Sequence, residues 1–387
     1  MLKCQRKVLI FKMAMRISCD FPGGNIIVRN VDEKNGIVSL TQDNKGTKGS
    51  WFWWCFCVEN APDKTIIFKF NDQVIGNYGP CYSYDGENWL WLHEASYGEQ
   101  WEWGCQGTNS HNEFSFEFHH ENKVYFAFSL PYTVRNFECL YQRIADEKSV
   151  ALQYIGMSER KRQFPVLKMG SGKRNIVMTA RQHCCESTGS YALEGVILAL
   201  INHASLLEQF TFHIFPFVDL DGVEEGEQGK DRAPHDHNRD YIHEPIYRAT
   251  RLIVEYVKDM EIEAFLDFHS PWKWTTCSDI PHIHKGSSSG GANELIDLFI
   301  RQLHELTYKA DEKQIRLHMK PEIVGYGVVD NVEGTTDSKN YFSLVKKARV
   351  SCTIETPYAG CLRQGYTVEQ LHKWGYHILQ ALEYSLC

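Results

Sequence analysis

Ala180-Arg181-Gln182-His183-Cys184-Cys185-Glu186-Ser187 sets an imidazole and a carboxylate three residues apart, between an apolar run at Asn175 to Thr179 and a helical pattern over Tyr191 to Gln209. Strand, polar turn and helix in that order predict an α/β layer, whose ligand crevice opens at the C-terminal ends of the strands. One tight turn can bring His183 and Glu186 to a single ion, but an isolated His-x-x-Glu recurs by chance. Three later segments raise its weight. They are Asn238-Arg239, the apolar run Phe265-Leu266-Asp267-Phe268-His269, and Thr353-Ile354-Glu355-Thr356-Pro357.

A catalytic zinc takes three protein ligands and keeps a fourth position open, and His183, Glu186 and His269 supply that set. Asp267 shares a strand face with His269 and is placed to orient its ring. Glu355 closes an apolar run from Val350, where a carboxylate is expensive to bury unless it is used; the proton of an activated water needs such an acceptor and a leaving amine such a donor. The competing reading is a strand-end glutamate in water. Asn238 and Arg239 lie in a loop dense in polar donors, and the planar guanidinium matches a free α-carboxylate. There the competing reading is a loop salt bridge with Asp240.

Working outward, Pro165 to Met169, Phe212 to Val218, Ala264 to His269 and Val350 to Glu355 read as further strands. Ile246 to Met260, Glu294 to Tyr308 and Thr367 to Leu386 read as helices. The expected domain is α/β, a mixed, mostly parallel sheet flanked by helices. Upstream of Pro131 the texture differs. Short runs rich in Val, Ile, Phe, Tyr and Trp (24 to 29, 36 to 40, 51 to 58, 65 to 70, 114 to 118, 124 to 129) alternate with Gly, Asn, Asp and Pro, which predicts an antiparallel β-sandwich. The expected division is residues 1–135 for the sandwich and 136–387 for the α/β domain.

A chain of 387 residues with 43% hydrophobic content fills two such cores. Its formal charge of −8 offers no basic face for nucleic acid. Thirteen scattered cysteines without CxxC spacing argue against a disulfide framework and for reduced thiols in a cytoplasmic protein. The basic and apolar start, Met1 to Ala14, is disfavoured as a signal peptide because Lys12 interrupts it, and no run reaches membrane-spanning length. Oligomeric state is not readable.

These segments resemble the zinc metallocarboxypeptidases of the funnelin type, above all their cytosolic carboxypeptidase branch. The likeness rests on Ala180 to Gly195, Asp221 to Arg239, Asp267-Phe268-His269 and Thr353-Ile354-Glu355, and upstream on Trp51-Phe52-Trp53-Trp54, Tyr82 to Trp89 and Tyr125 to Thr133. The resemblance implies a sheet of about eight strands. It implies one Zn2+ on His183, Glu186 and His269, Glu355 as general base and acid, Asn238 and Arg239 on the substrate carboxylate, and hydrolysis of a C-terminal peptide or isopeptide bond of a peptide or protein by metal-activated water. Three departures stand out. Cys184-Cys185 replaces the branch's usual Pro-Gly, and neither thiol is expected to be a ligand. The carbonyl-polarising arginine has Gly229 at its register, which leaves Arg232 as the nearest candidate. The pocket tyrosine is assigned to Tyr341, with Tyr326 and Tyr358 as alternatives. Lys346, Lys347 and Arg349, upstream of the Glu355 strand, would favour an acidic side chain unless they form a solvated loop. Two other functions compete. One is a zinc amidohydrolase acting on a small N-acyl amino acid or cell-wall peptide. The other is a glycan- or peptide-binding protein whose aromatic face is built from Trp51, Trp53, Trp54, Trp89, Trp91, Trp101 and Trp103.

Overall fold

The computed structural model describes residues 14–49, 51–75, 79–92, 112–119, 123–271, 279–287, 292–310, 314–319, 336–359 and 365–387. The first part of the chain forms β1 (Arg16–Ser18), β2 (Ile27–Asp32), β3 (Ile37–Thr41), β4 (Cys55–Glu59), β5 (Thr65–Phe70), β6 (Cys81–Ser83), β7 (Leu90–Trp91), β8 (Glu113–Glu117) and β9 (Lys123–Ala127). They make two sheets, β1-β4-β9-β6-β7 and β2-β3-β5-β8, antiparallel except between β3 and β5. Period-two alternation drives this layout. In β5 the residues Ile66, Phe68 and Phe70 are buried while Thr65 and Lys69 are exposed. Phe68 meets Phe56 of the other sheet at 5.5 Å and Phe126 at 5.3 Å between ring centroids, so the two inner faces interdigitate.

The tryptophans complete that interior. Trp51, Trp53 and Trp54 are buried, with Trp54 donating its indole hydrogen to the Val74 carbonyl at 2.9 Å. The expected aromatic face is therefore corrected: these rings fill the sandwich core. Trp89 and Trp91 are half-buried and pack on the hydrophobic core of the α/β domain, and Trp101 and Trp103 lie outside the described residues.

The remainder forms α1 (Val134–Ile144), β10 (Val150–Met157), β11 (Gln163–Met169), β12 (Arg174–Ala180), α2 (Ser187–Leu200), α3 (Ala204–Gln209), β13 (Phe210–Phe215), α4 (Leu220–Glu225), α5 (Arg248–Tyr256), β14 (Ile262–His269), β15 (His282–Lys285), α6 (Ala292–Lys309), α7 (Ser338–Leu344), β16 (Val350–Glu355) and α8 (Val368–Leu386). The strands order as β10-β11-β13-β12-β14-β16-β15, seven among the described residues. The central four, β13, β12, β14 and β16, are parallel, and the pairings at both edges are antiparallel. Buried on both faces, β13 and β16 are enclosed along their whole length, as a helix-covered sheet requires. The single helix expected over Tyr191 to Gln209 is two, broken at Ile201 to His203, where the backbone of His203 leaves the helical region.

The two domains are joined by buried hydrogen bonds. Trp53 N–H donates to Gln228 Oε1 at 2.8 Å, and the Gln228 amide donates back to the Trp53 carbonyl at 2.9 Å. Asn25 Nδ2 reaches the Gly226 carbonyl, and Ser129 Oγ the Tyr358 carbonyl, each at 2.6 Å. Cys185 and Tyr358 of the α/β domain are members of the sandwich's own hydrophobic cluster.

Candidate metal centre

Register brings the site together. His269 at the end of β14 lies opposite Glu355 at the end of β16, and Asp267 opposite Thr353. Residues paired across adjacent strands share a face, so both functional groups emerge on one side of the sheet. His183 and Glu186 come from the turn between β12 and α2. That turn is held by Arg181, which has φ +64°: its guanidinium donates to the Cys184 carbonyl at 2.9 Å and the Tyr132 carbonyl at 2.7 Å.

His183 Nδ1 lies 3.0 Å from Glu186 Oε1, and His269 Nδ1 lies 2.8 Å from Glu186 Oε2. Glu186 Oε2 is buried and makes no well-directed hydrogen bond despite that closeness, which is the relation of two ligands of one cation rather than of donor and acceptor. The other nitrogen of each ring faces a carboxylate: His269 Nε2 is 2.9 Å from Asp267 Oδ2, and His183 Nε2 is 3.5 Å from Asp236 Oδ2. Such partners fix the tautomer that leaves Nδ1 as the donor atom. The donor set therefore fits zinc, with two imidazole nitrogens and a carboxylate converging and a carboxylate behind each ring. Burial alone would depress His269, but Asp267 and Glu186 raise it well above the ordinary imidazole range.

Glu355 is 7% exposed, and burial pushes its carboxyl up to about 7 against the opposing pull of His269. It does not face water. Lys230, which no sequence pattern singles out, is a buried ammonium 2.5 Å from Glu186 Oε1 and 5.4 Å from the centre of the Trp51 ring. Burial works against its charge, but Glu186, with Cys185 and Glu355, more than offsets that and holds it above the ordinary lysine range. Arg232 is engaged by carboxylates. It pairs with Asp219 at 2.8 Å and Glu227 at 2.6 Å, with its Nη1 3.2 Å from His237 Nδ1.

Gly229 has φ +79°, and a Cβ there would lie 2.5 Å from the Cys184 backbone nitrogen and 2.9 Å from its sulfur. No side chain can stand at that register while Cys184 occupies the facing turn. Both thiols have partners of their own. Cys184 Sγ donates to the Glu227 carbonyl at 3.0 Å, Cys185 Sγ lies 3.9 Å from Tyr358 OH, and burial raises both, Cys185 to about 12.

Asn238 is held through its side-chain oxygen by Ser338 N–H at 3.2 Å and Ser338 Oγ at 2.9 Å, which leaves its amide nitrogen as a donor. Asp240 is not the partner of Arg239. It accepts from the Ile246 and Tyr247 N–H groups and lies 2.7 Å from His235 Nε2. Half-buried Arg239 forms no ion pair among the described residues, though its charge helps hold Asp236 ionised. Tyr341 on α7 is half-buried, 5.6 Å from Tyr241, whose hydroxyl accepts from Gln182. Tyr358 is buried between the domains, and Tyr326 lies outside the described residues. Lys346, Lys347 and Arg349 precede the opposite end of β16, about 16 Å from Glu355 at strand rise. There Lys346 bonds the Val257 and Lys258 carbonyls and Arg349 pairs with Glu263.

A second group has no spacing that marks it in the sequence. His282 lies opposite Glu355 across β15 and β16, and His284 opposite Thr353. Burial drops His282 to about 4 and His284 to about 2, so both rings are neutral.

Comparison with known proteins shows the family of the chain. Residues 17–128 match the family model described as the cytosolic carboxypeptidase N-terminal domain, and residues 140–369 match zinc carboxypeptidase. An uncharacterized protein of Zymomonas mobilis is 26% identical over 293 residues, 72% of each chain. Mouse cytosolic carboxypeptidase 6 is 26% identical over 180 residues, 41% of this chain and 33% of its own length. This chain thus spans about a third of that curated carboxypeptidase. A metallo-carboxypeptidase of Pseudomonas aeruginosa superposes with a TM-score of 0.78 at 19% identity, covering 96% of this chain and 100% of its own. A putative carboxypeptidase A of Shewanella denitrificans gives 0.74 at 20% identity over 95% and 97%.

Proposed function

Because this chain belongs to the zinc carboxypeptidase family, whose members act on peptides, we propose that His183, Glu186 and His269 hold its zinc and that Glu355 is its proton carrier. The observation that carries this reading is the convergence of two imidazole Nδ1 atoms and one carboxylate, each ring backed by a second carboxylate, beside the buried Glu355. Zinc held there supplies Lewis acidity and makes water a competent nucleophile near neutral pH.

Glu355 takes the proton of the attacking water and returns it to the leaving amine; a carboxyl near neutrality does both. Lys230, rather than Arg232, offsets the negative charge that develops on the carbonyl oxygen. It is the buried cation beside the ligand cluster, whereas Arg232 is neutralised by two carboxylates. Arg239 and the Asn238 amide bind the substrate's free carboxylate, and Tyr341 borders the same loop cluster from α7. The sandwich, residues 1–135, contributes Trp51 beneath Lys230, and residues 136–387 carry the chemistry. The cysteines of the described residues are free thiols, which supports a reducing compartment, and no described helix is long and apolar enough to cross a membrane.

The test pairs synthetic peptides that differ only in a free or amidated C-terminus and reads the products by mass spectrometry. Loss of a single C-terminal residue from the free acid alone is expected, abolished by chelation and restored by zinc. Equal cleavage of the amide would sink the carboxylate reading. Cleavage only of N-acyl amino acids would move the substrate to the small-molecule class.

A further inference from the structure

We propose that the free edge of β10 docks an extended peptide segment of another protein, which adds a strand to the seven-stranded sheet and sets a lysine or arginine side chain in the cavity between α1 and β10. The first ground is the edge itself. Among the described residues the sheet edges are β1 and β7, β2 and β8, and β10 and β15. Open edges invite pairing with other chains, and shortness or charge ordinarily blunts them. β7 has two residues, and the others carry charge: Arg16 on β1, Arg29 and Asp32 on β2, Glu113 and Glu117 on β8, Lys285 on β15. β10, eight residues reading Val-Ala-Leu-Gln-Tyr-Ile-Gly-Met, has neither charge nor proline.

Register decides which backbone groups that edge presents. Gly170 N–H donates to the Ser149 carbonyl at 2.8 Å, and bonded and open pairs alternate along an antiparallel ladder, so Leu152–Leu167 and Tyr154–Pro165 are open pairs. Pro165 agrees with this register, having no N–H to give. The N–H and C=O groups of Leu152 and Tyr154 therefore point away from β11. An added strand would meet them, and its residues opposite Leu152 and Tyr154 would share their face of the sheet.

The second ground is what lies on that face. Leu152 and Tyr154 line a cavity of about 770 Å³, walled by Phe137, Glu138 and Tyr141 of α1 and by Glu224. Buried Phe137 and half-buried Tyr141 offer apolar surface to the stem of a long side chain. The charge there is acidic. Glu224 accepts from Val134 N–H at 3.0 Å, and neither it nor Glu138 forms an ion pair among the described residues, whereas Arg162 at the same wall is taken by Asp221 and Glu225. Burial holds Glu224 above the ordinary carboxylate range, which an incoming cation would reverse. In strand addition the main-chain bonds give affinity and a side-chain pocket selects the partner. β10 stands four places from β14 in the sheet, about 19 Å at strand spacing, so docking leaves the metal centre open.

The experiment follows fluorescence anisotropy of the peptide fluoresceinyl-Gly-Thr-Val-Lys-Val-Thr-amide, and of its Leu and Glu counterparts at the Lys position, with the full-length protein. Saturable binding is expected, about tenfold tighter for Lys than for Leu, as for one charge-assisted hydrogen bond, and weakest for Glu. Amide hydrogen exchange at Leu152 and Tyr154 should slow when the Lys peptide binds. Glu138→Gln/Glu224→Gln should erase the preference for Lys over Leu while keeping that protection. Tyr154→Pro removes an outward N–H without taking a bond from β11, and should weaken all three peptides. A Lys peptide N-methylated at the lysine tests the same pairing on the intact protein and should not bind. A thermal melt and an unchanged rate on the free-acid peptide show that each variant keeps its fold. No saturable binding to wild type, binding without a preference for Lys, or binding without protection at β10 overturns the site. Competition between the probe and the free-acid substrate would put the peptide in the catalytic cleft and overturn it as well. A wild-type dimer that Tyr154→Pro dissociates would give the edge to a second copy of this chain and overturn the assigned partner.

Discussion

At the scale of single residues the chemistry turns on two buried groups of opposite charge, Glu355 and Lys230. Glu355 must be ionised to accept a proton, and burial raises its pKa to about 7, so kcat/KM should fall as pH drops through the acid side of neutrality. Glu355→Gln is expected to lower kcat/KM by roughly 10²–10⁴ and to abolish that acid limb; a limb that persists in the variant belongs to another group. Lys230 makes a sharper case, because it touches both the metal ligand Glu186 and the space beside it. Lys230→Met should reduce kcat by about 10²–10³ with KM little changed, the usual loss when a group serving the developing oxyanion is removed. The same change takes a positive charge from beside the metal ligands, so zinc should bind as tightly or more tightly. A merely structural lysine would weaken zinc and activity together. Arg239→Ala should cost about 10- to 100-fold in kcat/KM, as expected for one lost charge-assisted hydrogen bond. That loss should narrow the preference for the free acid over the amidated peptide by the same factor. The residues with partners at readable spacing, His183 with Glu186 and Asp267 with His269, are legible in the sequence. Lys230 is not, because one lysine in a glycine-rich loop carries no spacing signal. Its only trace is the glycine beside it.

At the scale of elements, the fully buried β16 and the alternating β5 are legible to the residue, whereas β13 lies two to three residues before the expected Phe212 to Val218. Five strands escape the expected runs, the short β1, β6 and β7 and, for opposite reasons, β10 and β15. β10 lies at the sheet edge with mostly exposed or half-buried side chains, so it lacks a hydrophobic pattern. β15 is buried at its start, but with histidine, so His282-Ile283-His284-Lys285 carries no apolar run. The break between α2 and α3 has no proline or glycine to announce it. The departure at Cys184-Cys185, by contrast, becomes intelligible only with its facing element, since Gly229 and Cys184 occupy one another's space. Gly229→Ala must place a Cβ 2.5 Å from a backbone nitrogen at a φ that L-residues disfavour by about 1–2 kcal/mol. The variant should melt several degrees lower and bind zinc less tightly, because the turn bearing His183 has to yield. An unchanged melting temperature would show that the turn is free to move.

At the scale of the whole molecule, the two small sheets and the seven-stranded sheet follow one another along the chain but are not mechanically separate. The sandwich strands end at Ala127 and α1 begins at Val134, but the domains share buried hydrogen bonds at Trp53–Gln228 and Asn25–Gly226 and a hydrophobic cluster holding Cys185 and Tyr358. Cys185 lies between the ligands His183 and Glu186, and Trp51 faces the Lys230 ammonium. Removing the sandwich would therefore bare apolar surface directly under the metal turn and leave the Gln228 amide without its Trp53 partners. Residues 136–387 expressed alone should aggregate or melt without cooperativity, and what remains soluble should hold less than one zinc per chain. A milder probe keeps the chain whole: Trp51→Leu preserves an apolar filling but removes the ring face from Lys230, a contact worth about 0.5–2 kcal/mol. That variant should fold and bind zinc while losing kcat in the same direction as Lys230→Met, by a smaller factor. If residues 136–387 instead melt cooperatively with a full equivalent of zinc and cleave at the intact chain's rate, the sandwich is a passenger and the metal turn is self-supporting. A Trp51→Leu variant with unaltered kcat would show that the ring does nothing to hold the ammonium.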